Sequence, residues 1–208
     1  RTAARRVPPA ECRRLEMYWD AAMCLGMVDT LRGSYYGSKL LLDALNTGLP
    51  SHLVLAFTME SVYLSSNGQA SREKAHALIE DALQLAEQSQ DQRAIFWAQV
   101  AEYAHHILLG DFPLALEKYD AVEAQLRACQ DTFWEQFTVD LYTVWALCHT
   151  GKLQELHKRL PQYVQEAEMR GDRYAVTDLV LGLPSVYWLT RDEPEAYRVR
   201  CEETIERW

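Results

Sequence analysis

Residues 110–115 read Gly-Asp-Phe-Pro-Leu-Ala, and residues 191–196 read Arg-Asp-Glu-Pro-Glu-Ala. In both strings an Asp precedes a helical pattern whose first turn contains a Pro, the position where the missing N–H of proline costs least. Gly151 lies 41 residues after the start of the first string and 40 before the start of the second. Gly33 and Gly68, which also follow apolar stretches, are assigned to the same series of breaks. The series predicts a repeat of about forty residues.

A second series of polar breaks lies between those of the first. Its members are Ser51, Asp91, Asp131 and Asp172, spaced by 40, 40 and 41 residues. Each precedes a run rich in aromatic and aliphatic residues, and Ser and Asp side chains accept hydrogen bonds from the unpaired N–H groups at a helix start. Two interleaved series with one period predict a pair of helices in each repeat.

The two helices of a pair are predicted to differ. The second helices carry one apolar stripe with spacing i, i+4, i+7, i+11. The stripes are Ala75, Ile79, Ala82 and Ala86 in 71–88, and Ala115, Tyr119, Val122 and Leu126 in 113–128. The first helices are apolar on more sides, as in 132–149, where Trp134, Phe137, Leu141, Trp145 and Cys148 form a stripe flanked by Val139, Tyr142 and Ala146. Pro161 and Pro184 are each expected to kink or break a helix.

These patterns predict an all-α protein, a single superhelix of ten helices in about five antiparallel pairs. The approximate repeats are 9–48, 49–90, 91–130, 131–171 and 172–208. The chain has only 9 Gly and 7 Pro among its 208 residues, too few turn residues for an all-β chain of this length.

The turn at Gly110 resembles that of the tetratricopeptide repeat (TPR), with Asp111, Phe112, Ala115 and Tyr119 at the matching positions. Leu25-Gly26 followed by Gly33-Ser34-Tyr35 is a second, partial match. Because the period exceeds the usual 34 residues, we describe the repeats as TPR-like. The resemblance implies a right-handed superhelix whose first helices line a concave face, where partners dock.

A narrower resemblance covers most of the chain. Residues 25–33 (LGMVDTLRG), 44–50 (ALNTGLP), 133–135 (FWE) and 170–174 (RGDRY) are similar to the helical-repeat region of large bacterial serine/threonine kinases that carry a STAND-type NTPase domain. The resemblance implies a regulatory or sensor segment of a larger cytoplasmic signalling protein. None of these strings carries catalytic chemistry, and the kinase and NTPase motifs themselves are absent from this sequence.

Composition argues against several classes of partner. The formal net charge of −9 disfavours nucleic-acid binding, which needs a cationic face; the basic start, Arg1 to Arg14, is interpreted as a solvated end. No apolar run reaches the roughly 18–20 residues that span a bilayer. The five cysteines include no CxxC pair, which favours buried thiols in a reducing cytosol.

Catalytic, cofactor and metal motifs are not expected. Residues 33–39 (GSYYGSK) are too short for a phosphate-binding loop and predict a helix–helix turn. His105-His106 and Cys148-His149 are adjacent pairs whose side chains diverge by about 100° on a helix. The acidic residues within first helices are Glu60, Glu102, Asp140 and Asp178. An acid pair for general acid–base catalysis stays open among them, but solvated faces or hydrogen bonds are favoured.

A concave binding face is predicted by counting back along the first helices from the turn residues. The candidate residues are Asp20, Met23, Met27, Phe57, Glu60, Trp97, Val100, Thr138, Leu141 and Asp178. The aromatic side chains at these positions could belong either to the core between repeats or to a binding groove, and the sequence leaves both interpretations open. The continuous stripe around Trp145 favours the core, and the small neighbours Ala101 and Ala104 favour a groove position for Trp97.

Three functions remain as hypotheses. The first is a protein-interaction or regulatory segment that binds other domains of its own chain, a second copy or an external protein. The second is a small-molecule-sensing arm like that of STAND-type regulators, which needs a closed apolar cavity. The third is a helical enzyme, for which the sequence offers no nucleophile–base pair.

Overall fold

The computed structural model describes residues 7–26, 28–127 and 133–208. Within these ranges the secondary structure is helical, and no residue belongs to a β-strand. The prediction of an all-α protein is confirmed.

The first of two compact units extends to Leu109. Consecutive helices pack against each other in this unit, and α5 packs on both α3 and α4. Its helices are α1 (Pro9–Gly26), α2 (Thr30–Thr47), α3 (Pro50–Ser66), a 3-10 turn (Gly68–Ser71), α4 (Arg72–Ser89) and α5 (Gln92–Leu108).

The second unit begins at Gly110. Its helices are α6 (Phe112–Arg127), α7 (Phe133–Thr150), α8 (Leu153–Arg170), α9 (Arg173–Val180), a 3-10 turn (Leu183–Ser185), α10 (Val186–Leu189) and α11 (Pro194–Glu206). Here α7 packs on α6, α8 and α9. The predicted third repeat, 91–130, is divided between the units, since α5 belongs to the first and α6 to the second. The five-repeat superhelix therefore stays a prediction.

Two of the predicted helix starts are confirmed by their hydrogen bonds. Asp91 Oδ1 accepts from the N–H groups of Arg93 (3.0 Å) and Ala94 at the start of α5. Asp172 Oδ1 accepts from the N–H of Ala175 at 3.0 Å at the start of α9. The start at Ser51 is wrong by one or two residues, because Pro50 is already the first residue of α3. Asp131 lies outside the described residues.

The break predicted at Gly33 is wrong. Asp29 caps α2 by accepting from the N–H of Arg32 at 3.1 Å, so the helix has already begun when the chain reaches Gly33. Gly33 is buried because α2 packs closely on its neighbours: a Cβ there would lie 2.6 Å from Tyr63 Oη and 2.7 Å from Gly26 N. The Gly-rich string 33–39 is thus part of a helix, neither a phosphate loop nor a turn.

The two interior prolines behave differently. The helix predicted around Pro184 is divided into α9, the 3-10 turn and α10, with Gly182 at φ 72°, so the break there is confirmed. Helix α8 continues through Pro161, and a break there is wrong. One lost backbone hydrogen bond is tolerated because α8 is held on both sides of the proline by buried Leu156, Leu160 and Tyr163.

The apolar stripes of the second helices form the cores of the two units. All four residues of the α4 stripe are buried, and Ala82 and Ala86 pack in a cluster with Val54, Ala94 and Ala98. All four residues of the α6 stripe are buried as well. Both stripes are confirmed as core faces.

The core of the second unit contains hydrogen-bonded polar groups, one of which, the Tyr119 hydroxyl, belongs to the α6 stripe itself. The hydroxyls of Tyr119 and Tyr163 are 2.5 Å apart, and burial raises the pKa of both, that of Tyr163 to about 12. The guanidinium of Arg159 lies 4.7 Å from the centroid of the Tyr119 ring. Asp140 is buried and accepts from Gln136 Nε2 at 2.7 Å. Of the interpretations left open for Asp140, the structure supports a hydrogen-bonded side chain in the core.

Burial of the cysteines is less complete than expected. Cys12, Cys148 and Cys201 are half-buried, and Cys24 is exposed; all four are free thiols. Cys129 lies outside the described residues.

Candidate functional site

The candidate residues of the first predicted repeat were counted from the wrong turn. Gly33 lies inside α2, whereas α1 ends at Gly26, so the register of this repeat is displaced by several residues. In the structure Asp20 is exposed and Met23 is half-buried on α1. Met27 lies outside the described residues. The structure therefore does not join Asp20, Met23 and Met27 into the predicted binding surface.

Trp97 lies in the core of the first unit, which corrects its assignment to a groove. Its indole is 6% exposed and packs edge-on against Trp19, with ring centroids 4.9 Å apart. The small neighbours Ala101 and Ala104 are buried because they let adjacent helices approach closely, and they do not open a groove. Val100 is also buried.

On α3, Phe57 and Glu60 are half-buried. Phe57 packs against the buried Ala and Val cluster that joins α3 to α4 and α5. At those predicted positions that the structure describes, the first unit thus brings no aromatic groove together.

The second unit does bring predicted residues together with aromatic rings. Asp178 is half-buried on α9, and Thr138 is half-buried on α7, where its hydroxyl donates to the carbonyl of Trp134 at 2.9 Å. Leu141, also on α7, is buried. We define the α7–α9 aromatic face as Trp134, Tyr142, Trp145, Tyr174 and Asp178.

The rings of this face contact one another across the two helices. Trp134 and Tyr174 are nearly parallel, with centroids 5.9 Å apart and an angle of 27°. Buried Phe137 meets Tyr174 at 5.5 Å with an angle of 78°. Tyr142 and Trp145 are 5.5 Å apart on α7. These contacts fix the orientation of the rings before any partner binds.

Trp145 is half-buried, less covered than the core position that its stripe favoured. Trp134 is also more open than its stripe predicted, at 37% exposed. Sequence reasoning omitted Trp134, Tyr142 and Tyr174 from the site. The available signal was their position, since Trp134 and Tyr142 lie four residues before and after Thr138 and therefore share its helix face.

Asp178 has an unusual electrostatic environment within this face. Partial burial raises the pKa of its carboxyl group, and a hydrogen bond from Tyr174 offsets part of that rise. Burial, with the Asp178 carboxylate nearby, raises the pKa of Tyr174 to about 12. Among the described residues no Lys, Arg or His forms a recorded ion pair with Asp178. A half-buried carboxylate that is hydrogen-bonded to the tyrosine of an aromatic cluster is an arrangement suited to binding a cation.

The first unit contains a serine–histidine pair, which raises the question of catalysis. Ser65 Oγ and His105 Nδ1 are 2.8 Å apart, and Ser65 Oγ also donates to the Ser61 carbonyl at 2.7 Å. Because the hydroxyl has one proton, that second bond leaves Nδ1 as the donor toward Oγ, the reverse of what a general base needs. Both side chains are buried, so a substrate has no access to the pair.

An apolar cavity of about 330 Å³ lies between α8, α9, α10 and α11. Its walls include Leu160, Val164, Leu179 and Trp188. Arg200 at its edge donates to the Glu168 carboxylate in a short ion pair. Its volume is within the range of small-molecule sites.

Across residues 7–26, 28–127 and 133–208, no three His, Cys, Asp or Glu side chains cluster closely enough to hold a metal ion. None of the helices in those ranges combines the length and apolar character that crossing a bilayer requires.

Comparison of the chain with protein-family models, with curated proteins and with solved structures finds no match in any of the three.

Proposed function

We propose that this chain is a non-catalytic protein-interaction segment whose α7–α9 aromatic face binds a cationic side chain of a partner protein. The observation that carries the proposal is the half-buried Asp178 carboxylate, which is hydrogen-bonded to Tyr174 of the aromatic face and, among the described residues, forms no ion pair with a Lys, Arg or His.

A cation at this face relieves an unfavourable interaction. Partial burial disfavours the charged form of Asp178, as its raised pKa reflects. A Lys or Arg head group bound there forms a charge-assisted hydrogen bond with the carboxylate. Contact of the cation with the faces of Trp134 and Tyr174 contributes about 0.5–2 kcal/mol more.

The aromatic composition favours a protein as the source of that cation. Trp, Tyr and Arg dominate the energetically important residues of protein interfaces because they bury much area while losing few rotamers. Trp134, Tyr142, Trp145 and Tyr174 have this composition, and contacts with neighbouring rings already orient them. The net charge of −9 also favours a basic partner over an acidic one.

The resemblance to bacterial kinase-associated repeats suggests where such a partner comes from. We propose that the segment belongs to a larger cytoplasmic signalling protein and regulates it by binding its kinase or NTPase domain, a second copy or an external protein. The chemistry required of any of these is a basic side chain on an accessible loop or helix.

A peptide titration tests the cation preference. The probe is an acetylated Gly-Lys-Gly amide, compared with Gly-Arg-Gly and the neutral Gly-Gln-Gly, and the readout is the NMR signals of the Trp134 and Trp145 indole N–H groups. We expect saturable shifts with the two basic peptides, abolished in Asp178→Asn and retained in Asp81→Asn, a change at an exposed Asp on α4. Equal shifts with the Gln peptide, or an unaffected Asp178→Asn variant, contradict the proposal.

A binding experiment with the whole signalling protein then identifies the partner. The isolated segment is used to capture the remaining domains of the parent chain, and hydrogen exchange maps the protected face. We expect protection at α7 and α9 that Trp134→Ala removes. Protection confined to other helices would place the interaction elsewhere.

The cavity between α8 and α11 supports a second candidate, a small-molecule sensor. Its apolar walls, with the Arg200–Glu168 ion pair at the edge, suit a small apolar ligand that carries one polar group. Benzoate and indole-3-acetate serve as probes in a thermal-shift assay. Saturable stabilisation that is lost when Val164→Trp fills the cavity supports this function, and its absence with both probes excludes these ligands.

A further inference from the structure

Helix α2 is apolar on two opposite sides. Its inner side, formed by Gly33, Gly37, Leu40 and Ala44, is buried against neighbouring helices. On the other side Leu31, Tyr35, Leu42 and Leu45 are 83%, 57%, 59% and 55% exposed. At 100° per residue the two sets lie nearly opposite each other. The exposed set with Ser38 between its members is named here the outer stripe of α2.

The outer stripe has the spacing of a helix-pairing seam. Leu31, Tyr35, Ser38, Leu42 and Leu45 follow one another at intervals of four, three, four and three residues. This alternation keeps side chains facing a second helix along a two-stranded pair. A stripe that served only solubility would carry charges at these positions.

Two other second helices, α4 and α8, provide an internal comparison. The exposed side of α4 consists mainly of polar residues: Glu73, Lys74, Glu80, Asp81, Gln84 and Glu87. The exposed side of α8 is likewise mainly polar. An apolar outer side is therefore particular to α2 among these helices, and an exposed patch of this kind marks an interaction surface.

The stripe supplies about half of the area that a standard interface buries on each subunit. The four large side chains expose on the order of 400–500 Å² of apolar surface, given residue areas of roughly 180–230 Å². The flanking residues of α2 bring the face toward the ~800 Å² per subunit of a standard interface.

The stripe is symmetric about Ser38, as a two-fold interface requires. Leu31 and Leu45 lie seven residues to either side, and Tyr35 and Leu42 lie three and four residues away. In an antiparallel pair the small Ser38 side chains meet at the axis and let the two backbones approach. Lys39 leaves this centre clear, because its ammonium folds back over the Tyr35 ring, 5.5 Å from the centroid.

Charges beside the stripe select the antiparallel orientation. Arg32, whose side chain is largely exposed, and Asp43 lie on the same flank of α2, six residues before and five after Ser38. Antiparallel pairing brings Arg32 close to Asp43 of the partner subunit, whereas parallel pairing places the two copies of this flank on opposite sides of the helix pair and leaves them without this contact. Asp43 accepts from Arg14 at 2.9 Å and can accept a second donor.

From the spacing, area, symmetry and charge pattern we propose that two copies of this chain associate through an antiparallel pair of α2 helices along their outer stripes. This interface is separate from the α7–α9 aromatic face and does not depend on the function proposed for it.

Sedimentation velocity and light scattering of the chain at 1–200 µM test the proposal. We expect a concentration-dependent dimer whose dissociation constant rises by about 100-fold or more in Leu42→Glu, because the new carboxylate is unpaired in an apolar contact. The control is Gln84→Glu, which places the same charge on the exposed side of α4 and leaves dimerisation unchanged. Circular dichroism verifies that both variants stay folded, as expected for substitutions at exposed positions.

Disulfide cross-linking tests the orientation in a Cys24→Ser background, which removes the exposed native thiol. Ser38→Cys is expected to form a covalent dimer under mild copper–phenanthroline oxidation, and an equimolar mixture of Leu31→Cys and Leu45→Cys to cross-link faster than either alone. A wild-type chain that is monomeric at 200 µM, a dimer that survives Leu42→Glu, or preferential Leu31-to-Leu31 cross-linking overturns the proposal.

Discussion

Replacement of Trp97 by Ala is expected to be among the most damaging single changes in the first unit. The indole is 6% exposed and meets Trp19 edge-on at 4.9 Å, so the truncation leaves a cavity and removes an aromatic pair. Truncation of a buried Trp costs about 3–5 kcal/mol. Of that, about 0.5–1.5 kcal/mol belongs to the contact with Trp19.

Trp145→Ala is the matched control, since it makes the same substitution in a first helix of the second unit. Trp145 is half-buried and contacts Tyr142 at its side, so less apolar area returns to water when it is removed. We expect a loss of about 1–2 kcal/mol.

Urea denaturation followed by circular dichroism at 222 nm measures both effects without depending on tryptophan fluorescence. Because the chain forms two compact units, each unit can give its own transition, and the Trp97 effect belongs to that of the first unit. A double-mutant cycle with Trp19→Ala isolates the contribution of the pair. A Trp97→Ala loss no larger than that of Trp145→Ala would refute the core assignment.

Three further predictions concern the packing at Gly33, the ionisation of Glu16 and the absence of catalysis. Gly33→Ala is expected to destabilise the protein by about 1–3 kcal/mol, because the new Cβ would lie 2.7 Å from the Gly26 backbone. Gly37→Ala should destabilise it less, because the nearest atom, Met59 Cγ at 3.1 Å, belongs to a flexible side chain that can move; thermal denaturation compares the two variants. The hydrogen bond from His52, with the nearby Arg93 guanidinium, lowers the pKa of Glu16 from 4.5 to about 2. The ionised Glu16 therefore stabilises the fold fully above pH 4.5, and this contribution is lost as the pH falls toward 2. Glu16→Gln should flatten the dependence of the unfolding free energy on pH over that window, and an unchanged dependence counts against the assignment. The isolated segment is expected neither to hydrolyse ATP nor to phosphorylate a protein, and turnover above that of a heat-inactivated control contradicts this.

Local signals in the sequence were reliable where one residue determines one backbone feature. Asp91 and Asp172 cap helices as predicted, because a carboxylate at that position satisfies N–H groups that nothing else can reach. The same approach failed at Gly33. A glycine permits a turn, but it also permits close helix packing, and only the contact with Gly26 and Tyr63 distinguishes the two uses.

The candidate site shows the same difference between features that depend on a single residue and features that depend on contacts between helices. Asp178 was predicted from its spacing along the chain, while Trp134, Tyr142 and Tyr174 were omitted although they share its face. Contacts between α7 and α9 depend on how each helix is rotated, and a register error of one residue turns a helix by about 100°. Spacing alone therefore could not assemble the site.

By itself the sequence determined the all-helical class, several helix boundaries and the core stripes of α4 and α6, because caps and apolar periodicity act within a few residues of chain. The tertiary structure alone decided that Trp97 is core and Trp145 half-buried, that Asp178 lies beside aromatic rings, and that the outer stripe of α2 stays uncovered. Periodicity states which residues share a side of a helix. Which side meets a neighbour depends on packing between helices that lie far apart in the chain.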